Sequence, residues 1–186
     1  MTGKGHWWIG AIVSPISFEL AHSAGGIGWL ALLMTFSGAT APDWLEIRKP
    51  SGGTVITHRT ITHWLPLWCL ALVAVLATMD TPIAQGLNKL DPSMYQLIGE
   101  LLSPVVASAL IGFLVGGLSH LATDFPNPMG IPIVTPWHRL SLNLWNSGEG
   151  EKITKGLAVA FVLFYFDIHL WVPWGELRGV FDRLTA

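Results

Sequence analysis

The chain has 186 residues, 51% of them hydrophobic and 12% charged, with ten tryptophans and a formal net charge of −2. A charged fraction about half the ~25% of soluble domains points to an integral membrane protein. The lack of a basic excess argues against a nucleic-acid partner. The length suits one domain, 1–186, integral to the membrane.

The opening, Met1-Thr2-Gly3-Lys4-Gly5-His6-Trp7-Trp8, has no signal-peptide cleavage pattern, so the first apolar helix is expected to stay in the membrane. Two apolar runs follow, Trp7–Leu20 and Ile27–Thr40. They read either as one loose span or as a hairpin turning near Ala24-Gly25-Gly26. In the hairpin each helix has roughly 14–16 residues, short of the ~30 Å hydrocarbon core.

A polar segment from Ala41 to Thr62 carries Asp43, Glu46, Arg48 and Lys49 and ends in His58-Arg59-Thr60-Ile61-Thr62-His63. A helix is expected from about His63 to Met79, with Pro66 in its first turn, then a polar connection from Asp80 to Tyr95. The longest apolar element is expected from about Gln96 to Thr123, kinked at Pro104. Its Gly112-xxx-Gly116 spacing permits close helix packing. The lone Cys69 lies in an apolar run and reads as a packing residue. A proline-rich exit, Phe125 to Pro136, leads to a last span at about Ile153–Trp171 and an amphipathic tail. The expected fold is an all-α, polytopic membrane helix bundle of four to five hydrophobic helices with an N-terminal hairpin.

Alternating helix directions place His6, Asp43, His58, His63, His120, Asp124 and Glu151 at one membrane face in the hairpin arrangement. Seven of the ten lysines and arginines fall on that face and three on the other. The positive-inside tendency therefore points the face toward the cytoplasm.

His120 and Asp124 are four apart and share a helix face, an arrangement that can bind one metal ion from a single helix. The same pair also reads as a structural hydrogen bond at a membrane boundary, and spacing alone leaves both readings open. His58 and His63 are five apart, roughly 140° around a helix, so one belongs to the loop. Imidazole and carboxylate donors suit zinc, manganese or iron, as one ion or two. Arg59 and Arg139 can hold an anionic group such as phosphate. A second polar set, Glu19, His22, Glu100, Asp167 and His169, lies toward the other face within reach of headgroups. No phosphate-binding glycine loop, nucleophile elbow or CxxC pair is present.

Together these motifs resemble the YdjM-like family of LexA-regulated, membrane-bound metal-dependent hydrolases. The resemblance lies in Gly5-His6, Ala41-Pro42-Asp43, His58-Arg59-Thr60-Ile61-Thr62-His63 and Ser119-His120-Leu121-Ala122-Thr123-Asp124, followed by Gly130 and Pro136. Leu45 and Trp64 depart from the family pattern, which often has aspartate and serine there. The resemblance, with a distant similarity to zinc-dependent phospholipase C, implies an inner-membrane enzyme of all-helical fold. It makes His6, Asp43, His63, His120 and Asp124 ligand candidates and His58 a ligand or acid/base group. Glu151 is the nearest substitute for a second downstream acidic ligand, and Asp43 is a candidate bridge between two ions.

The expected function is a metal-dependent hydrolase at the membrane surface, in which metal-activated water attacks a phosphoester, that of a membrane lipid or lipid-linked substrate. A metal-dependent peptidase or amidase and a non-enzymatic membrane protein with a structural metal are the rival readings.

Overall fold

The computed structural model describes residues 2–46, 59–99, 101–146 and 148–171. Its helices are α1 (Gly3–Ser23), α2 (Gly28–Gly38), α3 (Ala41–Trp44), α4 (Leu65–Leu76), α5 (Pro82–Leu90), α6 (Pro92–Gly99), α7 (Pro104–Asp124) and α8 (Glu151–Trp171). A 3₁₀ turn covers Ile61–His63, and β1 (Ile131–Pro132) pairs antiparallel with β2 (Arg139–Leu140). The all-α expectation holds.

The N-terminal segment is a helical hairpin. Gly25 takes φ +78°, and the Gly26 and Gly25 amides return to the carbonyls of Ala21 and His22. That is a Schellman closure, which needs a residue free of Cβ strain at the left-handed position. α1 has 21 residues and α2 has 11, so the two arms are less equal than expected.

Three boundaries differ from the sequence expectation. The long apolar helix begins at Pro104, not near Gln96, because Ser103 caps it by accepting the Val106 amide and proline needs no donor at that position. The stretch expected as a polar connection is helical: Thr81 caps α5 by accepting the Ala84 amide, and Asp91 turns the chain into α6. α4 starts at Leu65, since His63 closes the preceding 3₁₀ turn.

α7 is the central element and packs against α1, α2 and α4, while α8 leans on α1. Glycines set the approach to α2. A methyl group on Gly112 would meet the Ala31 carbonyl, one on Gly116 the Thr35 carbonyl, and one on Gly38 the Phe113 carbonyl. Backbones this close require glycine on both helices. The Ser17 and Thr35 hydroxyls meet at 2.5 Å between α1 and α2, both fully buried. Meanwhile Trp29, Leu33, Leu70, Leu163 and Phe164 are exposed.

Among the described residues, α7 alone is long and apolar enough to cross a membrane, and α2 and α4 are apolar but shorter. The expectation of four to five spans goes beyond this.

Candidate metal centre

One end of the bundle gathers three histidines, His6, His63 and His120. His6 lies in the first turn of α1, which Thr2 caps by accepting the Gly5 amide. His120 and Asp124 occupy the last turn of α7. Asp43 comes from α3 and His63 from the 3₁₀ turn. Trp68 fixes that turn: its indole N–H donates to the Thr62 carbonyl at 2.8 Å, and its ring lies over Gly117 of α7. A side chain at position 117 would displace the ring.

His6, His63, His120 and Asp124 are at most 1% exposed, whereas the Asp43 side chain is 45% exposed. The site therefore has one open side. His120 Nε2 lies 3.6 Å from Asp43 Oδ1 and 3.5 Å from Asp124 Oδ2. His6 Nε2 lies 3.5 Å from Asp124 Oδ1. His63 Nε2 lies 3.5 Å from Asp43 Oδ1 and 3.9 Å from Asp124 Oδ2. The His6 and His120 rings stack at 3.7 Å. Two groups, His6–His120–Asp124 and Asp43–His63–His120, have ligand geometry and share His120.

Proton placement follows from the outer partners. His120 Nδ1 lies 2.9 Å from the Ala39 carbonyl, which only accepts, so the proton sits on Nδ1. The Thr123 hydroxyl donates to the His120 carbonyl, and so accepts from His6 Nδ1 at 3.1 Å. Both imidazoles consequently turn a lone pair on Nε2 toward the carboxylates. His120 Nε2 is buried and makes no hydrogen bond. A second nitrogen tied to a carbonyl or hydroxyl is how metal-binding histidines are oriented. These residues fit a divalent cation.

Asp124 is held from outside. Asn127 Nδ2 donates to its Oδ1 at 2.9 Å, and Arg59 Nη2 approaches its Oδ2 at 2.6 Å. Arg59 also donates through Nη1 to the Gly130 carbonyl and through its amide to Glu46. Its backbone is left-handed, φ +56°, a conformation rarely adopted by a residue with Cβ. The proline-rich exit thus forms the floor of the site.

The charges of His63 and Asp43 respond to each other. Burial pushes His63 below the usual histidine value, with contact to Asp43 opposing it. Burial works against ionised Asp43, but the His63 hydrogen bond and neighbouring histidines outweigh it and hold the carboxyl below its usual range.

Other expected site residues fall elsewhere. Glu151 begins α8 and accepts from the Thr2 amide at 2.8 Å, with Lys155 beside it, and belongs to neither ligand group. Arg139 is exposed on β2, and no ion pair among the described residues ties it to the cluster. The Arg59 guanidinium, expected to hold an anion, is engaged by Asp124 and Gly130. His58 lies outside the described residues, as do Glu100 and the side chains of Asp167 and His169. His22 stacks on Phe18 near the far end of α1. Sequence reading missed Asn127, Thr123 and Trp68. Only Asn127 carried a local signal, an amide one turn past Asp124 at the helix exit.

Beside the cluster, α1, α7, α8 and the segment before α8 border an open apolar pocket of about 530 Å³. Ile9, Val13, Leu118, Leu144 and Phe161 line it, and so does Thr123, the partner of His6.

A family model described as "YdjM inner membrane protein" matches residues 1–180. The inner membrane protein YdjM of Escherichia coli (strain K12) and that of Shigella flexneri are each 29% identical to this chain over 118 residues. The match covers 62% of this chain and 47% of each relative, so the chain spans about half the length of the curated relatives it matches. No solved structure matches it.

Proposed function

This chain belongs to the YdjM inner membrane protein family, and on that premise we propose that it is a multi-pass membrane protein with a metal-dependent hydrolase centre at its cytoplasmic rim. The membrane reading draws support from the inverted pattern of the bundle: buried Ser17, Thr35 and Ser108 inside, exposed Trp29, Leu33 and Phe164 outside.

The observation that carries the metal reading is the pair of oriented imidazoles, His6 and His120, with Nδ1 protons committed and Nε2 lone pairs facing Asp124 and Asp43. His120 would hold the ion together with His6 and Asp124, or with His63 and Asp43, which stands at the open side. The ion, zinc in the first instance, would supply Lewis acidity and lower the pKa of bound water toward neutrality. Asp43, ionised at neutral pH and partly exposed, would accept a hydrogen bond from water at the mouth. Arg59 and Asn127 keep Asp124 in register.

The substrate class proposed is a phosphoester with an apolar tail, such as a membrane lipid. The apolar pocket bordered by Thr123 can seat that tail beside the cluster. The similarity to zinc-dependent phospholipase C points the same way, as an analogy of fold.

The test uses the full chain purified in detergent without chelators, beside a His120→Ala, Asp124→Ala double variant. Elemental analysis is expected to find stoichiometric metal in the first and not in the second. Chelator-sensitive release of a phosphorylated headgroup from mixed micelles is expected only from the first. Equal metal in both proteins would sink the centre. Retained metal without hydrolysis of phosphoester would favour the rivals, and amide hydrolysis would then separate an amidase from a structural metal.

A further inference from the structure

We propose that this cluster is built for a single divalent cation, with the Arg59 guanidinium as a fixed positive charge where a second ion would otherwise stand. The inference rests on the metal reading above and deepens it. The two ligand groups overlap at His120, and His120 has one lone pair to give. Its Nδ1 proton belongs to the Ala39 carbonyl, so Nε2 serves one ion and cannot bridge two. Without His120, each group is left with two side chains, His6 with Asp124 or His63 with Asp43, too few for a closed site of its own.

Asp124 is also a poor bridge. Asn127 already donates to Oδ1, and the Arg59 guanidinium pairs with Oδ2 at 2.6 Å, so each oxygen has reduced capacity for cations. Charge points the same way. Asp43, Glu46 and Asp124 are three carboxylates within reach of the three imidazoles or of Arg59. Among the described residues, with neutral imidazoles, the Arg59 guanidinium leaves two of these negative charges, which one divalent cation neutralises. A second ion would leave two uncompensated positive charges in a largely buried site, which is strongly unfavourable.

The experiment loads the full chain in detergent with Mn²⁺ and follows stoichiometry by equilibrium dialysis and electron paramagnetic resonance. Wild type is expected to saturate at one ion per chain and to show the hyperfine sextet of an isolated ion. Arg59→Gln, which removes the charge, is expected to admit a second, weaker ion, whereas Arg59→Lys stays at one. Two ions in wild type, or a spin-coupled pair, overturns the single-ion inference while leaving the metal centre standing. An Arg59→Gln variant that folds and never takes a second ion overturns the role of Arg59. If that variant fails to fold, the wild-type spectrum still decides the ion count. A wild type that binds no Mn²⁺ or Zn²⁺ above background sinks the metal reading itself.

Discussion

His120 on α7 donates its Nδ1 proton to the Ala39 carbonyl, just past the end of α2, across 2.9 Å. One hydrogen bond thus joins the packing of two helices to the chemistry of a candidate ligand. The approach depends on Gly112 and Gly116, whose missing side chains let α7 lie on the backbone of α2.

Gly112→Ala is therefore expected to do more than lower stability. The added methyl meets the Ala31 carbonyl, which cannot swing away as a side chain could. Overpacking of this kind costs roughly 1–3 kcal/mol. Thermal unfolding in detergent should show the loss, and metal affinity should fall with it as the Ala39 carbonyl moves from His120.

Thr123→Val keeps the shape of the side chain and removes the hydroxyl that orients His6. Loss of such an outer partner lowers metal affinity by about 10–100-fold. Competition with a chromophoric chelator should show this while circular dichroism stays unchanged. Unchanged affinity would mean that His6 is not a ligand.

Trp68→Phe keeps an aromatic ring against Gly117 and deletes the donor to the Thr62 carbonyl. An unsatisfied buried carbonyl costs roughly 1–3 kcal/mol. The loss should appear in unfolding by denaturant, together with weaker metal retention, because the 3₁₀ turn carrying His63 loses its anchor.

Glu151→Ala tests the last carboxylate of the sequence-level set. Its oxygens serve Thr2 and Lys155, so metal stoichiometry should match wild type. A loss of metal would place Glu151 in the centre after all.

The pH response of the metal-free protein follows from His63 and Asp43. Folded His63 is depressed below the unfolded value, so an acidifying solution protonates the unfolded state first. Its contribution is full above about pH 6.5 and is lost as pH falls through the folded value. Asp43, also depressed, contributes above about pH 3.9 and loses that contribution as pH falls through its folded value. Melting temperature should thus decline in two steps on acidification, and His63→Gln should shrink the first.

The sequence by itself determined the all-helical class, favoured a hairpin turning near Ala24-Gly25-Gly26 over a single span, and gathered His6, Asp43, His63, His120 and Asp124, with His58 and Glu151, at one face. Those features rest on local signals: apolar runs, glycine at a helix end, and an i, i+4 pair. Alternating helix direction was enough to bring the ligand types to one end. Tertiary structure decided what no local pattern encodes. Asn127 and Thr123 became partners of Asp124 and His6 only through the turn after α7 and the packing of α1 on α7. Glu151, which spacing alone could place among the ligands, was taken by the N-cap of α1. The number of lone pairs at the centre depends on hydrogen bonds such as that between His120 and Ala39, 81 residues apart. Such long-range partners follow from how the helices pack and leave no trace in residue spacing.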